Sequence, residues 1–74
     1  MVISPKIITE LRTLAKKEKV TYTFLKKQFR IGFGIENEHR KQLQDLGLKG
    51  DKLNYQISLI ALSHLKESVY YYTA

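Results

Sequence analysis

The sequence predicts a small α+β domain of the winged-helix or helix-turn-helix class, with three helices and a C-terminal strand-rich segment. Residues 20–48 suggest two short helices joined by a tight turn at 31–34, which has the sequence Ile-Gly-Phe-Gly. In such a unit the second helix is held out toward a DNA groove. Residues 53–59 then alternate between apolar and polar side chains, which is typical of a half-buried strand. The length of 74 residues predicts a single domain covering 1–74.

The first two helices are predicted from their end signals. Ser4 can cap a helix that has Pro5 at its first position, and apolar residues at helical spacing extend it to about Glu18. Thr23 can cap a second helix that covers about 24–29, and Gly32 suits a left-handed residue at its end.

The third helix, from about Gly34 to Leu46, is the candidate recognition helix, and Gly47 is expected to close it. Its inward face is predicted to carry Ile35, His39, Leu43 and Leu46. Another face, which we expect to meet base edges in the major groove, carries Asn37, Arg40, Lys41 and Gln44. Arginine suits guanine, and asparagine and glutamine suit adenine. An ordinary solvated helix face would explain the same four residues.

The C-terminal third is predicted as a strand to about residue 58, a short helix over 60–66 and a strand-prone tail over 69–73. Helical spacing also survives through Ile57, Ile60, Ala61 and Leu65, so a helix over about 58–67 competes with the strand. The tail carries Tyr70, Tyr71 and Tyr72, which we expect to form a protein interface, with at least one ring packed inward.

The charge distribution favours a polyanionic partner. The net charge is +6, and residues 1–32 account for all of it, with eight basic side chains against Glu10 and Glu18. A solvated face that keeps a small protein soluble is the alternative. On the nucleic-acid interpretation, phosphate contacts are expected from Lys16, Lys17, Lys19, Lys26, Lys27 and Arg30.

Several function classes are disfavoured by composition. The chain has no cysteine and two isolated histidines, so we expect neither a metal site nor a cofactor. No serine lies in an acyl-transfer pattern, and an enzyme is not expected. No apolar run approaches about 18 residues, so we expect a cytoplasmic protein without a membrane partner.

The run Gln28-Phe29-Arg30-Ile31-Gly32-Phe33, together with Leu46-Gly47-Leu48, resembles the gamma domain of FtsK-type DNA translocases over about 19–48. The resemblance implies a winged-helix fold that reads short DNA sequences. Where that family is rich in arginine and alanine, this chain has Gly34-Ile35-Glu36-Asn37-Glu38, so the family's DNA target is not carried over. The chain also lacks a nucleotide-binding loop, so a motor activity is not implied.

These observations together predict a non-catalytic module that binds double-stranded DNA, with a possible homodimer through the C-terminal segment. The alternative is a protein-interaction module of the same fold that has lost its DNA face and uses Tyr70, Tyr71 and Tyr72 to bind a partner.

Overall fold

The computed structural model describes residues 3–73, and these residues form helices and turns without a strand. The helices are α1 (Pro5–Glu18), α2 (Tyr22–Glu36), α3 (Arg40–Asp45) and α4 (Gly50–Glu67), with a 3₁₀ turn at Asn37–His39 between α2 and α3. The predicted α+β winged-helix or helix-turn-helix class, with its strand-rich C-terminal segment, is therefore wrong, and the protein is a small helical domain.

Helix α1 confirms the predicted bounds. Oγ of Ser4 accepts a hydrogen bond from the backbone N–H of Lys6 at 3.3 Å, and Pro5 occupies the first turn. At the other end Lys19 adopts a left-handed conformation with φ 57°. The N–H of Val20 donates to the carbonyl of Ala15 at 3.0 Å, which completes a Schellman motif with a lysine where glycine is usual.

Helix α2 runs without interruption through residues 31–34, so the predicted turn between a second and a third helix is wrong. Thr21, rather than Thr23, caps the helix by accepting a hydrogen bond from the N–H of Phe24 at 3.0 Å. Each glycine within a helix costs about 1 kcal/mol relative to alanine. Burial of Leu25 and Phe29 against the other helices offsets this cost, and Gly32 is itself buried by the C-terminal segment.

The predicted recognition helix over 34–46 is also wrong, because those residues are divided among the end of α2, the 3₁₀ turn and α3. Three of the four residues assigned to its inward face are exposed: Ile35 by 43%, Leu46 by 79%, and His39. Gly47 does follow α3 with φ 94°, as predicted, and the N–H of Leu48 donates to the carbonyl of Leu43 at 3.2 Å.

The predicted strand over 53–58 lies inside α4. The apolar side chains buried along α4 recur at helical rather than alternating spacing: Leu53, Ile57, Ala61, Leu62 and Leu65. The competing helical pattern is therefore the one that forms, and α4 is longer than that pattern predicted. After α4, Ser68 is extended, and the predicted tail strand is instead a series of turns over 69–73.

The core lies where α1, α2 and α4 meet. Ile7, Leu11, Leu25, Phe29 and Leu65 are fully buried there, and Val69 joins them from the C-terminal segment. Within the described part of the chain, none of the helices combines the length and apolar character needed to cross a bilayer.

Candidate functional site

A basic surface lies along the edge that α1 and α2 share. We define it as Arg12, Lys16, Lys19, Lys26 and Arg30. Arg12, Lys16 and Lys19 follow one another at i, i+4 and i+7 on α1 and its C-terminal cap, and Lys26 and Arg30 are four residues apart on α2. Four of the five side chains are exposed and Lys26 is half-buried. No carboxylate among residues 3–73 lies within ion-pair distance of these five.

Tyr22 joins the two halves of this surface. The guanidinium carbon of Arg12 lies 4.2 Å from the centre of the Tyr22 ring, and the Nζ atom of Lys26 lies 6.0 Å from it. Contacts of this kind are attractive by about 0.5–1 kcal/mol at exposed sites. The ring therefore holds cations from two helices near each other in spite of their repulsion. Sequence analysis included Arg12 in the net charge of residues 1–32 but did not predict that it would pair with Tyr22. The sequence feature that could have indicated this contact is a tyrosine at the first position of a helix that follows a short loop.

The other residues predicted to contact phosphates are not grouped so closely. Lys17 lies on the opposite flank of α1, where it lines a shallow groove with Glu10 and Lys66. Lys27 is exposed on α2, one position beyond Lys26.

The residues predicted to read bases lie in the 3₁₀ turn and α3. Nε of Arg40 donates to Oδ1 of Asn37 at 2.8 Å, and its Nη2 donates to Oδ1 of Asn54 at 2.7 Å. These two predicted readers are therefore bonded to each other and to α4. Lys41 and Gln44 are exposed.

A second cluster surrounds Glu36, which is 5% exposed at the end of α2. Its Oε2 lies 3.2 Å from Nδ1 of His64 on α4 and accepts a hydrogen bond from the Tyr72 hydroxyl at 3.3 Å. Nδ1 of His64 also lies 2.9 Å from the Tyr72 oxygen. The other carboxylate oxygen is 3.8 Å from Nε2 of His39. Sequence analysis missed this cluster because Glu36, His64 and Tyr72 are far apart in the sequence and meet only in the fold.

One arrangement of protons fits the three distances among Glu36, His64 and Tyr72. Tyr72 has one hydroxyl proton, and in this geometry it is donated to Glu36. In the tautomer that carries its proton on Nδ1, His64 can donate to the phenol oxygen or to the carboxylate. Burial, together with the charge and hydrogen bond of Glu36 and the neighbouring Tyr71, raises the pKa of Tyr72 above its ordinary value.

The cluster does not have the ligand arrangement of a metal site. Over residues 3–73, no group of three histidine, cysteine, aspartate or glutamate side chains is placed to hold a metal ion. Nδ1 of His39 is 3.1 Å from Oε1 of Gln42, to which it can donate a hydrogen bond.

Of the three tyrosines predicted to form a protein interface, Tyr72 packs inward over Gly32. Tyr70 and Tyr71 are about half exposed. The Tyr70 ring contacts Phe24 with a centroid separation of 5.7 Å, and Tyr71 stacks on His64 at 4.2 Å.

Comparison with known proteins gives one relationship. A family model described as "Protein of unknown function (DUF5661)" matches residues 5–74. The chain matched no curated protein and no solved structure. Because the family model covers nearly the whole chain, this protein belongs to the DUF5661 family.

Proposed function

We propose that this protein is a non-catalytic DNA-binding domain that contacts duplex phosphates through the basic surface of α1 and α2. The observation that carries the proposal is the convergence of Arg12 and Lys26 on Tyr22, with no neutralising carboxylate within ion-pair distance among the described residues. Lysine and arginine that neutralise phosphates release counterions, and this release drives binding.

The dimensions of the surface suit a nucleic-acid backbone. Arg12 and Lys19 are seven residues apart, so they span about 10 Å of helix axis. That length corresponds to roughly three nucleotides of one strand at ~3.4 Å each.

The left-handed conformation of Lys19 supports the same proposal. A lysine at φ 57° is less favourable than glycine, yet this position places a cation at the end of the basic surface. Unfavourable backbone conformations are often retained at functional sites.

Phosphate contacts confer affinity but not sequence preference. The proposal therefore concerns general binding along a duplex. Reading of bases by Asn37, Arg40, Lys41 and Gln44 stays a prediction, and it needs Arg40 and Asn37 to exchange their mutual hydrogen bond for contacts with bases.

The test is fluorescence anisotropy with a labelled duplex of random sequence at salt concentrations from ~50 to ~200 mM. If all five cations contact phosphates, the slope of log K against log salt is about −4.5. Absence of binding by the wild-type protein at ~50 mM salt would refute the proposal.

A matched pair of triple variants locates the interface. Lys16, Lys26 and Arg30 are changed to Gln in one, and the exposed residues Lys6, Lys49 and Lys52 in the other. Each variant lowers the net charge from +6 to +3 by removing three positive charges. We expect the first to weaken binding and make the salt slope shallower by about 2.7, while the second retains the wild-type slope. Equal weakening in both would mean that overall charge, rather than this surface, drives binding.

A second candidate function is protein binding, as a homodimer or with another partner, through Tyr70 and Tyr71. Their exposed fractions of 53% and 47% favour it, because tyrosine is enriched at interfaces. Sedimentation velocity of the wild type and of Tyr70→Ser/Tyr71→Ser would test the homodimer. A monomer in the wild type at all concentrations would exclude it.

A further inference from the structure

The C-terminal segment is attached to α2 by one stripe of the helix. Gln28, Gly32 and Glu36 are spaced four residues apart, so they line one side of α2. Gln28 and Glu36 are the two buried polar side chains among residues 3–73, with exposures of 4% and 5%. Both face the same segment: Oε1 of Gln28 accepts from the Thr73 hydroxyl at 2.9 Å, and Glu36 accepts from the Tyr72 hydroxyl.

Gly32 provides the space between these two polar groups. A Cβ atom at this position would lie 2.7 Å from Cδ2 and Cζ of Tyr72 and closer still to Cε2, so an aromatic ring fits there because the side chain is absent. His64, across on α4, completes the slot by placing Nδ1 2.9 Å from the phenol oxygen. The slot thus has space above Gly32 for the aromatic ring, and Glu36 and His64 lie within hydrogen-bond distance of its hydroxyl.

We propose that the stripe of Gln28, Gly32 and Glu36, together with His64, is a binding site for a Tyr-Thr peptide segment, which the chain's own Tyr72 and Thr73 occupy as an intramolecular ligand. Tyrosine is preferred over phenylalanine because its hydroxyl donates a hydrogen bond to Glu36 and lies 2.9 Å from Nδ1 of His64, and phenylalanine would lose both contacts. In an empty site the buried Oε1 of Gln28 would lose its hydrogen bond from Thr73, and a buried polar group left without a partner is costly, so the site favours an occupant.

The backbone of the segment supports this interpretation. The N–H of Tyr71 donates to the carbonyl of Ser68, and the N–H of Thr73 donates to that of Tyr70, both at 3.0 Å. These bonds lie within the segment, so residues 70–73 reach the slot through side chains. Val69 is 5% exposed and fixes the start of the segment in the core.

The first test removes the Tyr72 side chain from the slot and measures whether a small phenol binds in its place. In the full chain with Tyr72→Ala, p-cresol should bind at least about tenfold more tightly than toluene, which has the ring but no hydroxyl. NMR titration should place the p-cresol shifts at Gly32, Glu36 and His64. The wild type is the occupied control and should show no such shifts. Equal binding of p-cresol and toluene, or equal binding of p-cresol to the wild type, would overturn the proposal.

The second test uses the wild-type chain and does not depend on the folding of a variant. If residues 70–73 are a bound ligand, the amides of Tyr71 and Thr73 should exchange with solvent by local opening, faster than the amide of Leu65 in the core. Exchange of all three with the same opening free energy would show that the segment is a fixed part of the core, and the proposal would be wrong. Neither test involves the basic surface, so the result is independent of DNA binding.

Discussion

Arg40 and Asn54 tie the short helix α3 to α4 through a hydrogen bond of 2.7 Å from Nη2 to Oδ1. The same guanidinium holds Asn37 at 2.8 Å, so one side chain fixes the 3₁₀ turn, α3 and α4 relative to one another. Helix α3 has six residues and buries none of them, so we expect this link to help position it against α4.

Removal of this link should destabilise the fold modestly. We expect Arg40→Ala and Asn54→Ala each to lower the free energy of unfolding by about 1 kcal/mol, with a coupling of about 1 kcal/mol in a double-mutant cycle. Urea denaturation measures all three values. Lys41→Ala is the control, since Lys41 is exposed and should change stability by less than about 0.5 kcal/mol. Strict additivity of the two changes would contradict the link.

The two glycines of α2 should respond oppositely to alanine. Gly34→Ala meets nothing within 4 Å and should stabilise the protein by up to about 1 kcal/mol through helix propensity. Gly32→Ala collides with the Tyr72 ring and should destabilise it by about 1–3 kcal/mol. Thermal denaturation of both variants checks the difference. Stabilisation by both substitutions would mean that the packing of the Tyr72 ring does not require glycine at position 32.

Alkaline pH should weaken the fold through Tyr72. Its pKa is raised by burial and by Glu36, so the folded protein keeps a proton that the unfolded chain releases. This contribution is complete below about pH 10 and is lost as pH rises further, by at most about 1.4 kcal/mol per unit. Because other groups titrate there too, the measured quantity is the difference in unfolding free energy between the wild type and Tyr72→Phe. That difference should shrink above pH ~10, and a constant difference would argue against the raised pKa.

Lys19 should show opposed effects on stability and binding. Lys19→Gly relieves the left-handed conformation and should stabilise the domain by about 0.5–1 kcal/mol. On the proposed function it should also weaken DNA binding and make the salt slope shallower by about 0.9. Lys17→Gly, inside the last turn of α1, should instead destabilise by about 1 kcal/mol. Unchanged DNA binding by the Lys19→Gly variant would show that Lys19 does not contact DNA.

Local signals were sufficient where the responsible residues are neighbours in sequence. Ser4 and Pro5 predicted the start of α1, and Gly47 predicted the end of α3, because capping depends on a few adjacent backbone groups. The concentration of positive charge in residues 1–32 also predicted a basic surface, although not the role of Tyr22 in bringing its two halves together.

Sequence analysis failed where the local structure is determined by contacts with residues distant in the sequence. Gly32 looked like a helix end, but its role is set by Tyr72, forty positions later. Leu53 and Ile57 fit both an alternating and a helical pattern, and the choice depended on burial of Ala61 and Leu65 further along α4. Tertiary packing thus overrode local propensity at both places.

The surroundings of Glu36 suggest that the fold needs the shape and hydrogen bonds of this side chain but not its negative charge. Oε2 of Glu36 faces the Tyr72 hydroxyl and Nδ1 of His64, and both can donate a hydrogen bond to it. Oε1 of Glu36 faces Nε2 of His39, which can accept a hydrogen bond when Nδ1 of the same ring donates to Gln42. A carboxamide has the same outline, with one accepting oxygen and one donating nitrogen. Glutamine would therefore suit every neighbour without carrying a negative charge into the interior, and members of the family with glutamine here would be expected to keep the same architecture.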